Sequence, residues 1–230
     1  MEFYEVLQKR RTIRDFTGQE VSDELLAKVL NAGLQAPTND HLRQLEFVVV
    51  KGKENISRLV ADFDKNYDLV LDGIREEAAK GNIDADKYDM FMHAVPRQKR
   101  MLIESGCVVI PFFRQGGEPL LQPDRLHSLN YFASAWASIE NIILAATAGG
   151  LVTCLHIPMG DETENIKKAV DSPDGYELTC LLAIGYQAPD AHICKQVQID
   201  IRDRIVFGGI GDKESRCESI PMVGSRGIKR

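Results

Sequence analysis

The chain is poor in cysteine, and its cysteines follow no pairing pattern. Cys107, Cys154, Cys180, Cys194 and Cys217 are scattered through 230 residues, are odd in number, and never form Cys-x-x-Cys. That excludes a disulfide-stapled scaffold and points to free thiols in a reducing, cytoplasmic setting. Cys107, Cys154 and Cys180 lie in apolar runs, where a thiol is usually a small core residue. No uninterrupted apolar stretch approaches the roughly 20 residues of a membrane span. The opening Met1-Glu2-Phe3-Tyr4-Glu5 lacks the basic and apolar regions of a signal peptide. Positive charge is also in deficit: Lys plus Arg is 28 against 34 Asp plus Glu, a net charge of −6. Sequence-independent nucleic-acid binding needs a clustered basic surface, so it is not expected. Hydrophobic residues at 44% and charged residues at 27% are ordinary for a globular chain and exclude a disordered one.

Several catalytic signatures are missing. There is no Gly-x-x-x-x-Gly-Lys-Ser/Thr phosphate loop and no Gly-x-Ser-x-Gly elbow. Gly208-Gly209-Ile210-Gly211 resembles a dinucleotide fingerprint only superficially, because too little chain follows it for a βαβ unit. The histidines, at 41, 93, 127, 156 and 192, show no zinc-ligand spacing, and His192-x-Cys194 alone is read as a surface turn. No metal site is expected. The chemistry is therefore expected to reside in a bound cofactor.

The periodicity predicts an α+β domain. Residues 1–10 form a short helix with Phe3, Val6 and Leu7 on one stripe. Ser22 caps a second helix, with Asp23 and Glu24 in its first turn, that runs to Gly33 and stops before Pro37. Leu45–Val50 is nearly all apolar and is expected as a central strand. Residues 53–104 are charged and helical in pattern, broken near Gly81 and Pro96. Cys107–Ile110 is a buried strand expected to close at Pro111, and 115–125 is a loop. The longest helical signal runs from Leu126 to Ala148 and ends at Gly149-Gly150. Leu129, Ala133, Trp136, Ile139, Ile143 and Ala146 recur at spacings of three and four, and the opposite face carries little charge beyond Glu140. A helix apolar on most sides is buried on most sides, which suggests an oligomer interface. Strand 151–157, a helix from about Glu162 to Val170, and strand 178–184 follow. No linker divides the chain. It reads as one domain, 1–230, with 208–230 an extended or flexible tail.

Three segments carry the chemistry. In Lys9-Arg10-Arg11-Thr12-Ile13-Arg14 an extended backbone would turn Arg10, Thr12 and Arg14 one way and Arg11 and Ile13 the other. Two guanidinium forks and a hydroxyl on one face suit a phosphate dianion, although a solvated basic turn has the same composition. Ala36-Pro37-Thr38-Asn39-Asp40-His41-Leu42-Arg43-Gln44 is a polar loop leading into a strand, either a ligand loop or an ordinary connection. Gly149-Gly150-Leu151-Val152-Thr153-Cys154-Leu155-His156-Ile157-Pro158-Met159-Gly160 pairs a buried strand with a turn, against which a planar cofactor could lie.

Taken together these segments resemble the nitroreductase-like FMN-dependent oxidoreductases. Arg10-Arg11-Thr12-Ile13-Arg14 is similar to the family's Arg-Arg-Ser-x-Arg opening, and Ala-Pro-Thr-Asn-Asp-His before Phe47-Val48-Val49-Val50 to its second motif. The long Ala-rich helix ending in Gly-Gly-Leu-Val-Thr, then Gly175-Tyr176 and Leu182-Ala183-Ile184-Gly185-Tyr186, is similar to its carboxy-terminal half. Order and spacing match over most of residues 1–190. The resemblance implies a mixed central sheet flanked by helices and a homodimer with a long central helix in its interface, where two FMN molecules bind. It implies hydride transfer from NADH or NADPH through flavin N5 to an electron-poor small-molecule acceptor such as a nitroaromatic or quinone. It implies that Arg10, Arg11, Thr12 and Arg14 hold the phosphate and ribityl chain. Pro37, Thr38 and Asn39 would line the ring edge, with His41 in reach. Leu155, His156 and Ile157 would approach the ring, and no catalytic side chain is required.

The chain departs from the family at Arg43-Gln44-Leu45, where the usual sequence is Gln-Pro-Trp. Arg43 would either face the reduced ring or pair with Glu46 or another neighbour. Lys195 and Arg202 are the candidates for a late phosphate ligand. Residues 60–104 are expected to cover the flavin and set substrate choice. A flavin-dependent reductive dehalogenase and a non-catalytic flavin-binding redox sensor are the competing readings.

Overall fold

Local signals place the helices of the computed structural model, which describes residues 1–63, 65, 67–114, 129–195 and 199–205. The loop expected at 115–125, Cys217, and the 208–230 tail with its Gly208–Gly211 lie outside the described residues. Helix α1 (Phe3–Lys9) buries Val6 and leaves Phe3 and Leu7 of the expected stripe exposed. In α2 (Asp23–Gly33) the capping Ser22 Oγ accepts from Leu25 N–H at 3.3 Å, as its sequence predicts. The charged region resolves into α3 (Lys53–Leu59), α4 (Tyr67–Ala79), α5 (Ala85–Ala94) and α6 (Gln98–Ile103). The breaks fall near Gly81 and Pro96 as expected, with a further one after Leu59. The long helix α7 (Asn130–Ala148) and the short α8 (Glu162–Ala169) complete the set; residues 126–128 of the expected long helix lie outside the described residues.

The strands are β1 (Leu45–Val50), β2 (Cys107–Arg114), β3 (Val152–His156), β4 (Tyr176–Leu178) and β5 (Leu181–Gly185). The path runs β1-β2-β5-β3, with β4 also on β2, and every strand pair is antiparallel. The parallel element of this sheet is an isolated bridge between Thr12 and Thr153. Strand β1 is an edge strand among the described residues, not the central one its apolar run predicts. Phe47 packs on one core and Val48 and Val50 on the other, so both faces are covered and alternation disappears although one edge is open.

Strand β2 does not close at Pro111 but continues to Arg114. Phe112 pairs with Leu178 and Val109 with Leu182, so three steps on β2 face four on the other side. That extra residue is a bulge, and it splits the single strand expected at 178–184 into β4 and β5. The Pro111 carbonyl accepts from Thr179 N–H at 3.2 Å, so the missing proline N–H faces the bulge. Proline is tolerated inside a sheet at such a place.

Alternate residues of β2 and β5 enter two cores. Val108, Ile110 and Ala183 join Ile56, Phe63, Met101 and Leu102 on one face, while Cys107, Val109 and Ile184 join Leu26, Val29, Ile139 and Ile142 on the other. Helix α7 buries one stripe, through Ser134, Ile139, Ile142 and Ala146, and leaves Ala133 and Glu140 exposed. Tyr131, Phe132, Trp136 and Leu144 on its other side are half-buried. The α2–α7 crossing depends on Gly33: a Cβ there would lie 2.7 Å from Ile142 Cγ1 and 2.8 Å from Ser138 Oγ. Gly33→Ala is therefore expected to lower stability by about 1–3 kcal/mol through overpacking. Gly73 in α4 meets nothing within 4 Å. Gly73→Ala should instead raise stability by about 0.5–1 kcal/mol. Urea unfolding of the two variants checks both signs.

Candidate functional site

The arginine segment leaves α1 at Arg10 and runs extended beside β3. Ile13 N–H donates to the Thr153 carbonyl at 3.1 Å, and the buried side chains of Ile13 and Phe16 hold the segment to the body. The expected alternation follows. Arg10, Thr12 and Arg14 line one cavity of about 790 Å³, together with Thr153, Cys154 and Leu155 of β3. Arg11 lies outside that lining, on the side of Ile13. Glu140 of α7 is the one acidic residue among the described lining residues. Two guanidinium atoms here are buried without a hydrogen-bond partner: Arg14 Nε and Arg11 Nη1. An unsatisfied buried cationic donor costs several times what a paired one does, and a phosphate oxygen would satisfy it. These residues fit a phosphate dianion.

The strand contributes less than its sequence suggests. Leu155 lines the cavity, but His156, which the family resemblance places against a cofactor, points to the opposite face of the sheet. His156 is 2% exposed and stacks on Phe63 with ring centroids 4.6 Å apart. Its Nδ1 lies 3.0 Å from Gln98 Oε1 and its Nε2 2.8 Å from Glu162 Oε2. Both ring nitrogens are thus occupied inside the protein, and neither meets Cys154. Ile157 lies beyond the end of β3, is exposed, and lines neither this cavity nor the one described next. Strand alternation accounts for the loss of His156: Leu155 takes the cavity face, so its neighbour takes the core. Cys154 is buried, and burial pushes its thiol up to about 11. Cys107 and Cys180 are likewise pushed up, to about 11 and about 12. These are core thiols.

The second motif lines a separate cavity of about 600 Å³ between the end of α2 and the start of β1. Pro37, Thr38, His41 and Arg43 contribute to it, whereas Asn39 does not. Asn39 is instead the anchor: its N–H donates to Ser134 Oγ of α7 at 2.8 Å. Arg43 N–H donates to Thr38 Oγ1 at 3.3 Å. Asp40, His41 and Arg43 all occupy the left-handed region, at φ 48°, 56° and 48°. Non-glycine residues held there store strain, and such strain clusters at functional sites. Within one chain the first and second motifs therefore do not meet.

The structure places the three cations left open by the sequence as follows. Glu46 accepts from Tyr176 Oη at 2.7 Å and forms no ion pair with Arg43. Lys195 pairs with Asp86 at 2.6 Å, and Arg202 Nε lies 3.1 Å from Asp200 Oδ1. Neither late cation lines the arginine cavity. A third cavity, of about 670 Å³, carries Arg97 and Arg100, but these are answered by Asp15 at 3.2 Å and Glu104 at 2.8 Å. Sequence reasoning missed Ser134 as a site residue and left Glu140 without a role. A serine near the start of a mostly apolar helix and the one charged residue within it, Glu140, were the available signals.

Residues 7–186 match the model of the Nitroreductase family. A relative, iodotyrosine deiodinase from Nematostella vectensis, is 24% identical over 199 residues, which is 84% of this chain and 69% of that one. Among solved structures, a BluB-like flavoprotein from Clostridium difficile 630 superposes with a TM-score of 0.67 at 20% identity, covering 91% of this chain and 100% of that one. Oxidized iodotyrosine deiodinase bound to FMN and 3-iodo-L-tyrosine superposes with a TM-score of 0.66 at 16% identity, covering 86% and 96%. These likenesses show the fold. No helix among the described residues is long and apolar enough to cross a membrane.

Two imidazoles give the fold a pH dependence. Burial holds His156 below the ordinary 6.5, against the pull of Glu162. Burial, then Arg97 and His192, hold His93 below it, against Asp15. The unfolded chain binds more protons below pH 6.5, so stability is full above that pH and falls as pH drops below it. The limit is about 1.4 kcal/mol per pH unit for each imidazole. The urea midpoint is expected to fall between pH 7.5 and pH 5.5, and a constant midpoint would contradict these two environments.

Proposed function

The chain belongs to the nitroreductase family, and from that premise we propose that it is an FMN-dependent oxidoreductase working as a homodimer. The observation that carries this reading is the pair of buried guanidinium atoms on Arg11 and Arg14 without partners, beside a cavity lined by Arg10, Thr12 and Arg14. Bound there, FMN would supply hydride transfer between NADH or NADPH and an electron-poor acceptor such as a quinone or nitroaromatic. The chain's own part is binding and orientation. Arg10 and Arg14 offer forked donors to the phosphate, Arg11 adds charge from the far side, and the Thr12 hydroxyl completes the cradle. Leu155 offers an apolar wall. Cys154 on the cavity wall has a packing role, since burial pushes its thiol up to about 11 and keeps it protonated at neutral pH.

The homodimer follows from the separation of the two motifs. Pro37 and Thr38 lie on a different cavity from Arg14, Asn39 is tied to Ser134 of α7, and Tyr131, Phe132, Trp136 and Leu144 leave a half-buried apolar face on that helix. A second subunit packed on that face would bring its own 37–39 loop to the cofactor held by the first. Light scattering should then return twice the 25.7 kDa of one chain, with about one FMN per subunit. A flavin-loaded monomer would remove this part of the reading. The buried, unbridged Cys107, Cys154 and Cys180 support a reducing, cytoplasmic setting.

A second reading, reductive dehalogenation, is supported by the deiodinase relative. Two assays on yellow, FMN-loaded protein separate them. NAD(P)H oxidation driven by a quinone supports the first reading. Iodide release from 3-iodo-L-tyrosine with dithionite, without NAD(P)H turnover, supports the second. Arg14→Ala is expected to weaken FMN binding by about 10- to 150-fold, the loss of a charge-assisted contact of roughly 1.5–3 kcal/mol. Lys9→Ala should leave it unchanged, because Lys9 is exposed and pairs with Glu5 at 2.7 Å. Fluorescence titration of FMN against the two variants decides, and equal losses would withdraw the phosphate cradle.

A further inference from the structure

The cavity of the second motif carries a cation and no acid: of its described lining residues, Arg43 is cationic and none is acidic. The protein as a whole carries a net charge of −6, and its other cations are mostly answered. Lys51 pairs with Asp23, Arg97 with Asp15, Arg100 with Glu104 and Lys195 with Asp86. Glu46, the carboxylate nearest Arg43 in sequence, is engaged by Tyr176. Among the described residues the Arg43 side chain has no ion-pair or hydrogen-bond partner.

The backbone that carries this charge is fixed at the mouth of the cavity. The Arg43 backbone sits at φ 48°, tied to Thr38 Oγ1, and the loop is tied in turn to Ser134 of α7 through Asn39. Strain of this kind persists only where the surrounding structure enforces it.

We propose that this cavity receives the electron acceptor and selects acceptors bearing a carboxylate or similar planar anion, with Arg43 as the residue that binds it. The inference rests on the oxidoreductase reading above and names the substrate class of that site. A planar guanidinium matches a carboxylate in two parallel hydrogen bonds, which an ammonium cannot reproduce. The cavity's remaining polar groups, including Asn31, Gln35 and Thr38, are uncharged and leave the anion without a competitor.

The probes are benzoate and benzamide, isosteric and differing in charge, titrated into FMN-loaded protein and followed by flavin absorbance. FMN content is measured first. Protein without FMN overturns the oxidoreductase reading, and the same titration by calorimetry then still tests the cavity. Wild type is expected to bind benzoate about tenfold more tightly than benzamide. Arg43→Met should abolish that preference while leaving the benzamide affinity within about twofold, and Arg43→Lys should keep only part of it. Arg43 is exposed, so loss of the fold is not expected to confuse the result. Equal binding of the two probes by wild type, or a preference that survives in Arg43→Met, overturns the proposal. So does a lowered flavin midpoint potential in Arg43→Met with the preference intact, which would assign the arginine to the cofactor instead.

Discussion

The hydrogen bond from Ile13 N–H to the Thr153 carbonyl is the contact on which the candidate site depends. It fixes residues 10–14 as an extended ribbon beside β3. An extended ribbon divides its side chains between two faces, so the bond decides where four cationic and hydroxyl groups go. Ile13, 1% exposed, locks the register by filling the core. A slip by one residue would bury an arginine and expose the isoleucine, and the cost of an unpaired buried charge forbids that. The same bond joins the segment to β3, whose Leu155 faces the same cavity. Cradle and wall thus come from one backbone contact between two segments about 140 residues apart.

Helix α7 does for the second motif what β3 does for the first. Ser134 accepts from Asn39 N–H and donates to the Asn130 carbonyl, so its hydroxyl is fully used although it is buried. That buried hydroxyl in a mostly apolar helix anchors a loop with three non-glycine residues in the left-handed region. Each such residue costs on the order of 1 kcal/mol or more, and the anchor is what makes the strained loop persist. The tight α2–α7 contact at Gly33 sets the distance across which Ser134 and Asn39 meet. A helix chosen for apolar packing therefore also positions a polar loop.

Much of this was legible in the residues. Ser22 announces a helix start because its oxygen accepts a first-turn N–H. The Arg10, Thr12 and Arg14 face is visible because an extended chain has a period of two, and the ordered set of three motifs identifies the family. What escaped is what depends on neighbours. An edge strand covered on both faces reads like a central one, as β1 does, because apolar content reports faces and not hydrogen-bonding edges. Pro111 reads as a stop because the bulge that absorbs its missing N–H lies on another strand. His156 reads as a site residue because alternation at the end of β3 could begin on either face, and only Gln98, Glu162 and Phe63 decide it. The separation of the two motifs into different cavities cannot be read at all from a linear order.

Charge balance gives the last step. An acidic chain has carboxylates to spare, and along its surface it uses them: Lys9, Lys51, Arg75, Lys80, Arg100 and Lys195 all meet an acidic partner. Exposed pairs of this kind add little stability, typically under about 1 kcal/mol. Their consequence is that a cation left unanswered stands out from an acidic background. The buried donor on Arg14 and the guanidinium of Arg43 are such cases on two different cavities, and the buried donor on Arg11 lies beside the first. A chain that can neutralise its cations cheaply, yet withholds carboxylates from these positions, leaves room there for anions it does not itself provide. Glu140, the one acid on the arginine cavity, is exposed on α7, whereas the unsatisfied Arg14 Nε is buried. The buried donor loses the most by lacking a partner, and it therefore has the strongest physical demand for an external anion.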